Sequence, residues 1–210
     1  MTSNVNLVWV TPEAEERIAY MARVSNPENQ NNQDTAPKLL KYLMKHQHWS
    51  PFEMVNVCME IETTRDIARQ ILRHRSFSFQ EFSQRYASVS GFEYSEPRLQ
   101  DNKNRQNSIE TDDIHLLYKW ERLQETVIER SKMVYDWAID LGIAKEVARK
   151  VLPEGLTKSK MYMNGTLRSW IHYTELRCGV ETQKEHREVA LKCQEILKGL
   201  FPNVYEGLKG

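Results

Sequence analysis

Apolar and polar residues recur with two different periods along the chain, and these periods predict both strands and helices. From Val55 to Ile61 every second residue is apolar, which is typical of a strand with one buried face. Shorter strands are predicted over 6–10 and 157–163, and a further strand or extended piece is predicted over 91–98. Strands are thus expected in separate parts of the chain, with other elements between them.

The longest segment with helical periodicity runs from Asp112 to Leu141, and Gly142 follows it as a stop signal. We expect this helix to lie in the core or at a subunit contact, with its aromatic residues used for packing. The highly polar stretch 100–111 has little to bury, so it is expected to form a mobile surface loop. Further helices are expected after Thr11-Pro12, from about Ala36, after Thr63 or Thr64, over 145–152, over 165–178, and after a capping box of Thr182 and Glu185.

Length and composition fit a single intracellular domain. We expect residues 1–210 to form one domain with a sizeable core. The 29 basic and 29 acidic residues cancel, so the chain has no overall field that attracts nucleic acid or an anionic membrane. No apolar run approaches the roughly 20 residues that span a bilayer, and the N-terminus lacks a signal-peptide pattern, so a soluble, cytoplasmic protein is expected. The cysteines are few and far apart, which favours reduced thiols.

Candidate chemistry concentrates between Arg73 and Tyr86, directly after a predicted short helix. Arginine presents a planar fork of donors that matches phosphate oxygens, so Arg73, Arg75 and Arg85 indicate a phosphate-bearing ligand. His74 lies between two arginines, which disfavours its charged form. Two other interpretations stand beside this one. The arginines could belong to a solvated helix C-terminus, or the basic and aromatic residues could form a stacking platform for single-stranded nucleic acid.

Spacing within this stretch predicts which side chains point the same way. In an extended backbone Glu81, Ser83 and Arg85 lie on one side, and the residues between them lie on the other. That side would be polar, with donors and acceptors for a ligand. Gln70 and Arg73 are three residues apart and are expected on one face of the preceding helix.

The segment around His46, His48 and Glu53 holds potential metal ligands, but no third and fourth ligands follow at a recognisable spacing. We therefore expect no metal. The proline after Ser50 favours an extended or turn conformation, which leaves His48, Ser50 and Glu53 available to a ligand. Without further support, a capped turn with surface histidines explains the same residues.

Five ordered segments of the chain resemble the flavin-dependent thymidylate synthases. They are Arg-Val-Ser at 23–25, and the segments 48–53, 70–86, 146–153 and 167–177. Within the third segment, Arg73-His74-Arg75 followed by Ser83 and then Arg85-Tyr86 resembles the family signature. The resemblance covers most of the chain, from about Arg23 to Glu185.

The resemblance implies an α+β fold with a central, mostly antiparallel sheet and flanking helices. The chains would assemble as a homotetramer whose active sites are each built from several subunits. The implied activity is a thymidylate synthase that methylates dUMP to dTMP, with methylenetetrahydrofolate as the carbon donor and FAD, reduced by NADPH, as the hydride carrier. FAD would be held by residues matching Ser25, His48, Ser50, Glu53, Arg73, His74, Arg75, Glu81, Thr166, Arg168 and His172. The dUMP would be held by Gln70, Arg73, Glu81, Ser83, Gln84, Arg85, Arg149 and Arg177.

The resemblance places Arg177 at the uracil ring as the catalytic residue. Carbon 5 of uracil is a poor nucleophile, so its attack requires either covalent activation by a thiolate or stabilisation of a ring anion. No cysteine lies in the ligand-binding segments with an obvious activating base. An arginine that keeps its proton can instead stabilise the anion. The chain departs from some relatives at Glu181, where they have histidine, and at His172, where others have asparagine. A flavin-binding relative with another substrate is a weaker interpretation.

Overall fold

The computed structural model describes residues 3–88 and 91–208, which are organised around a four-stranded antiparallel sheet. The sheet has the order β1-β2-β6-β3, and β4 and β5 form a separate hairpin. The strands are β1 (Asn4–Val10), β2 (Asn56–Thr64), β3 (Ser78–Glu81), β4 (Arg98–Gln100), β5 (Ser108–Glu110) and β6 (Lys158–Thr166). The helices are α1 (Ala14–Ala22), α2 (Ala36–Lys45), α3 (Arg65–Ile71), α4 (Ile114–Asp140), α5 (Lys145–Ala148), α6 (Leu167–Arg177), α7 (Lys184–Leu200) and α8 (Pro202–Gly207). This arrangement confirms the α+β fold with flanking helices.

The alternation that predicted a strand in the middle of the chain places one face of β2 in the core. Val57, Met59 and Ile61 are fully buried, and Met161 and Met163 of the neighbouring strand β6 are buried with them. These side chains belong to one continuous apolar cluster that includes residues of α2, α3, α6 and α7. Burial of this face, and not strand propensity alone, therefore fixes the register of the central strands.

Helix α6 is fixed to the sheet by its buried side. The Thr166 side chain caps its N-terminus and accepts from the Ser169 backbone N–H. Trp170 is fully buried and donates from Nε1 to the Val57 carbonyl oxygen at 3.0 Å. Tyr173 is also fully buried. The remaining sides of the helix are thereby directed away from the core, and they carry several of the predicted site residues.

The long helix is confirmed, with Asp113 accepting from two backbone N–H groups at its N-terminus. Within this chain it is not a core helix. Of its residues only Gln124 and Tyr135 are buried, while Val127 is 46% and Trp137 60% exposed. The apolar stripe of α4 is therefore compatible with the expected subunit contact and not with burial inside one chain. Over residues 3–88 and 91–208, no helix has the length and apolarity needed to cross a bilayer.

The segment after the arginine stretch differs from the prediction of a loop and agrees only in part with the prediction before it. Of the strand or extended piece expected over 91–98, only Arg98 belongs to a strand, β4, and Phe92 forms an isolated bridge with Thr157. The loop expected over 100–111 contains the turn of the β4–β5 hairpin. The Asp101 carboxylate accepts from the backbone N–H groups of Lys103 and Asn104, and these local bonds form the turn without burying apolar surface.

Two helix starts were also misassigned. The predicted capping box does not form: α7 begins at Lys184, and Glu185 pairs with Arg98 instead of reaching back to Thr182. At the first helix, Thr11 extends the strand pairing, because it exchanges hydrogen bonds with Asn56. In both places a long-range partner competes with the local cap. Helix α8 was not predicted.

Gly165 in β6 and Phe77 of the arginine stretch touch so closely that the glycine has no room for a side chain. A Cβ on Gly165 would lie 2.4 Å from Cδ1 of Phe77. The Phe77 ring packs edge-on against the Trp170 ring, with centroids 4.9 Å apart. Contact with Gly165 and Trp170 therefore holds the arginine stretch against the sheet.

We expect Gly165→Ala to lower the free energy of unfolding by about 1–3 kcal/mol, because an added methyl group must displace a packed aromatic ring. Denaturant unfolding measures the change. Gly199→Ala in α7 is the matched control, since its Cβ would meet nothing within 4 Å and alanine favours a helix. Equal stability of Gly165→Ala and the unmodified protein would contradict the proposed packing.

Candidate active site

Part of the predicted cofactor set lines one cleft of about 340 Å³. Glu53, Arg168 and His172 are its predicted members. The other lining residues were not predicted, although each is a close neighbour in sequence of a predicted residue. They are Trp49, Ser76, Ser169 and Glu175.

Glu53 orients one wall of this cleft. It ends a short 3₁₀ helix (Ser50–Glu53), and its carboxylate accepts from Thr166 Oγ1 at 2.8 Å and from Arg168 Nη1 at 2.7 Å. Burial alone would raise the pKa of the Glu53 carboxyl, but the bonds from Thr166 and Arg168 and the charge of Arg168 lower it below its ordinary value. The predicted residues Glu53, Thr166 and Arg168 are therefore brought together, and the carboxylate holds the guanidinium at the cleft.

The C-terminal residue of α6 contacts the arginine stretch directly. Arg177 Nε donates to His74 Nε2 at 2.9 Å. Burial, followed by the charges of Arg177, His172 and Arg73, lowers the pKa of His74 to about 4. His74 is therefore neutral near pH 7, as expected, but burial and not its arginine neighbours is the main cause. It accepts from Arg177 through its unprotonated nitrogen.

Gln70 lies at the end of α3, and the first two arginines of the signature follow just beyond it. Gln70 Nε2 donates to Gln183 Oε1 at 2.7 Å. The helix ends at Ile71, so Arg73 lies beyond it, and the prediction that Gln70 and Arg73 share one helix face was wrong. The turn instead leaves both Arg73 and Arg75 exposed to solvent.

Glu81 at the end of β3 is occupied by partners within the chain. Its carboxylate lies 3.0 Å from Arg69 Nη1 and 3.6 Å from Arg65 Nη1, and it accepts from Ser159 Oγ at 2.9 Å. Arg69 also bonds to Glu154. Arg65 and Arg69 were not predicted as site residues, because they lie outside the signature. Glu81 thus gathers cations at this edge of the sheet.

The turn after β3 brings a second pair of predicted residues together. Arg85 Nε lies 3.2 Å from a Glu146 carboxylate oxygen, and Arg149 Nε donates to the Glu146 carbonyl oxygen at 3.4 Å. The extended backbone ends near Phe82, and Ser83 Oγ accepts from the Arg85 backbone N–H. Two predicted nucleotide-binding arginines therefore contact the same residue of α5.

Gln84 does not lie where its predicted role in binding dUMP would require. Its side chain is buried, and within residues 3–88 and 91–208 its Nε2 has no hydrogen-bond partner. It therefore faces the protein interior and not the polar side of the turn. Gln84 is buried between the less buried Ser83 and Arg85, which agrees with the alternation expected for this stretch, although residues 84–86 form a turn.

The remaining predicted residues lie outside the Arg168 cleft. Ser25 lines a separate, open cavity of about 470 Å³ together with Tyr42. The exposed His48 ring lies edge-on to Tyr42, with centroids 5.9 Å apart, and Ser50 is also exposed. One chain therefore divides the predicted residues among separate surfaces.

Neither a metal site nor an activated thiol is found in the part of the chain that the structure describes. Across residues 3–88 and 91–208, no group of three or more His, Cys, Asp or Glu residues could hold a metal ion. Burial raises the pKa of the thiols of Cys58, Cys178 and Cys193. Thiolate formation, which nucleophilic attack requires, is thus disfavoured at each of them.

Comparison with known proteins connects this geometry to a family. Residues 6–203 match the family model described as thymidylate synthase complementing protein. The chain is 52% identical over 198 residues to a probable flavin-dependent thymidylate synthase of Paramecium bursaria Chlorella virus 1, covering 93% of this chain and 90% of that one. It is 50% identical over 192 residues to a flavin-dependent thymidylate synthase of Synechocystis sp., covering 91% and 88%.

A solved structure has the same fold. It is a UMP/dUMP methylase, PolB, from Streptomyces cacaoi bound with 5-Br dUMP. The TM-score is 0.88 at 27% sequence identity, with 99% of this chain and 95% of that chain covered.

Proposed function

The chain belongs to the flavin-dependent thymidylate synthase family, and we propose that it reductively methylates dUMP to dTMP. In this reaction methylenetetrahydrofolate gives the carbon, FAD reduced by NADPH carries the hydride, and no protein thiol acts as the nucleophile. The observation that carries the proposal is the bond from Arg177 to neutral His74. It fixes a permanent cation at the end of the helix that lines the cleft.

The cleft suits an anionic, aromatic cofactor. Arg168 is held at its rim by Glu53 and stays half exposed, and Trp49 offers an aromatic surface beside it. The exposed Arg73 and Arg75 provide further donors for phosphate oxygens. When bound, FAD supplies the hydride. We propose that this chain's residues bind and orient it, and the set is Ser25, His48, Ser50, Glu53, Arg73, His74, Arg75, Glu81, Thr166, Arg168 and His172.

For dUMP, we propose that Arg85 and Arg149 bind the phosphate. Glu146 contacts Arg85 through its carboxylate and Arg149 through its carbonyl oxygen, and a phosphate with its larger charge would compete with the carboxylate for Arg85. Glu81 is proposed to act on dUMP indirectly, because its carboxylate already pairs with Arg65 and Arg69. The remaining proposed nucleotide contacts are Gln70, Arg73, Ser83, Gln84 and Arg177. Because Gln84 is buried, the turn that carries it would have to change conformation before its side chain reaches the nucleotide.

Arg177 is proposed to activate the uracil ring. Its Nε–H is committed to His74, which leaves the two terminal amino groups of the guanidinium for the ring oxygen that becomes negative. Because His74 is neutral, it orients the guanidinium without cancelling its charge. Stabilisation of the developing ring anion is then largest in the transition state.

We further propose that residues 1–210 act as one domain and that four chains form the active enzyme in the cytoplasm. Two observations support the assembly. The proposed site residues lie on separate surfaces of one chain, and the apolar stripe of α4 is exposed. A second chain that covers the stripe could also complete a site.

The purified protein is expected to show flavin absorbance and to form dTMP from dUMP only when methylenetetrahydrofolate and NADPH are both present. UMP serves as the comparison substrate, since the structural neighbour is a UMP/dUMP methylase. The intact mass of the protein should not increase by a nucleotide during turnover, because no thiol adduct forms. A protein with neither flavin absorbance nor dTMP formation, but with affinity for single-stranded nucleic acid, would contradict the proposal.

Arg177→Ala should lower turnover by about 100-fold to 1,000-fold, as for removal of a group that stabilises transition-state charge. The dUMP dissociation constant should rise less than tenfold. Arg177→Lys should recover little activity, because a point charge lacks the planar fork. Single-turnover flavin oxidation and calorimetry with dUMP measure the two effects. A normal oxidation rate in a slightly less stable protein would leave Arg177 only the role of complementing the helix dipole.

Light scattering should give a mass about four times that of the 24.8 kDa chain. Val127→Arg with Val134→Arg places two charges on the exposed apolar stripe of α4 and should lower both the mass and the activity. Glu129→Arg is the matched control, because Glu129 lies about 200° around the helix from Val127. An active monomer would refute the assembly.

A further inference from the structure

A row of side-chain hydrogen bonds runs through Gln70, buried at its Tyr173 end and exposed at Gln183. His186 Nε2 is 3.1 Å from the Tyr173 hydroxyl, and His186 Nδ1 is 3.4 Å from Gln70 Oε1. Gln70 Nε2 donates to Gln183 Oε1 at 2.7 Å, and Gln183 Nε2 donates to Glu185 Oε2 at 2.9 Å. The row thus joins α3, α6 and α7 through five side chains.

The chemistry of the atoms gives the row one direction. An amide oxygen only accepts, so His186 Nδ1 must donate to Gln70. A neutral imidazole carries one hydrogen, so His186 Nε2 accepts from the Tyr173 hydroxyl. Every bond then runs from Tyr173 toward the carboxylate of Glu185, and reversal of any one would place two donors or two acceptors together.

Both ends of the row are fixed chemically. Burial raises the pKa of Tyr173 well above its ordinary value, so its hydroxyl keeps its proton. At the other end, the buried Glu185 carboxylate pairs with Arg98 at 2.5 Å. In the middle, burial and then the charges of Arg177 and His74 lower the pKa of His186 to about 3, which keeps the imidazole neutral.

The same two aromatic residues also form the wall behind His74. The Tyr173 ring meets the His74 ring edge-on, with centroids 4.9 Å apart, and the His186 ring centroid lies 6.2 Å from that of His74. His74 in turn accepts from Arg177. Two fully buried residues therefore support both the amide of Gln70 and the imidazole that orients Arg177.

We propose that His186 is a positioning residue, which fixes the amide of Gln70 with its oxygen inward and its NH₂ group toward the nucleotide. One amide hydrogen of Gln70 bonds to Gln183. The other is then held ready for an acceptor oxygen of dUMP. The inference rests on the proposed function, because that function assigns Gln70 to dUMP and Arg177 to its ring.

A purely structural role for His186 makes a different prediction from a positioning role. His186→Leu leaves the Tyr173 hydroxyl buried without a partner, and Tyr173→Phe leaves His186 Nε2 without its donor, so each lowers stability. The double variant removes both groups and should regain most of the lost stability. If His186 only fills the core, dUMP affinity recovers in the double variant as well.

The positioning role predicts that dUMP affinity does not recover. In folded, flavin-loaded protein, we expect the double variant His186→Leu/Tyr173→Phe to bind dUMP at least tenfold more weakly than the unmodified protein. Tyr173→Phe alone, which keeps the Nδ1 donor, should stay within about threefold. His186→Asn, which retains an N–H near the Nδ1 position, should recover affinity. Val189→Ala, a buried substitution one turn along α7, is the control for loss of stability alone.

Calorimetry with dUMP measures the affinity, and denaturant unfolding measures the stability. Normal dUMP affinity in the folded double variant would overturn the inference while leaving the proposed function intact. Absence of dUMP binding by the unmodified protein would overturn both. Gln70→Ala introduced into the double variant should add less than a threefold further loss, since His186 acts through Gln70. A full additional loss would mean that the two residues act independently, and would also overturn the inference.

Discussion

The burial of helix α6 against the sheet is the constraint on which both parts of the candidate site depend. Trp170 is fully buried and bonds to the Val57 carbonyl oxygen, so α6 has one allowed rotation and height on β2. Its outer side then lines the cleft, and its last residue, Arg177, reaches His74. Phe77 packs against Trp170, so the arginine stretch is held by the same contact. The proposed cofactor and substrate residues therefore keep their relative positions because one aromatic side chain is buried between them.

Local pairing explains how a chain with no net charge can offer sites for anions. Exposed ion pairs contribute only about 0–1 kcal/mol each to stability, so their main effect here is to orient long side chains. An arginine held by one carboxylate still has donors for a phosphate, and the carboxylate limits its motion before the ligand binds. The pairs in question are Arg168 with Glu53, Arg85 with Glu146, and Arg69 with Glu81.

Sequence periodicity predicted those elements whose pattern reflects burial, as the alternation in β2 and the helical spacing in α4 show. It failed where partners distant in the sequence, or bonds within a polar loop, decide the structure. The hairpin around Asp101 is an example, because side-chain acceptors form its turn without an apolar pattern. Local signature residues indicated His74 and Arg177, but not their contact across 103 positions. His186 could not be found in this way, since a lone histidine in an amphipathic helix carries no signal of the partners that meet it after folding.

The position of the apolar stripe on α4 gives the separate surfaces of the chain a common explanation. A helix of 27 residues with most of its large apolar side chains exposed is unfavourable in an isolated chain, because burial of such side chains is a main source of stability. The charges of the chain cancel, so no long-range repulsion opposes contact between copies. Arg85 and Arg149 meet at Glu146 on the short helix that follows α4, so a partner that covers the stripe would also approach this pair. Association and completion of the proposed nucleotide site would then be a single event, which would explain why the candidate residues lie on separate surfaces of one chain.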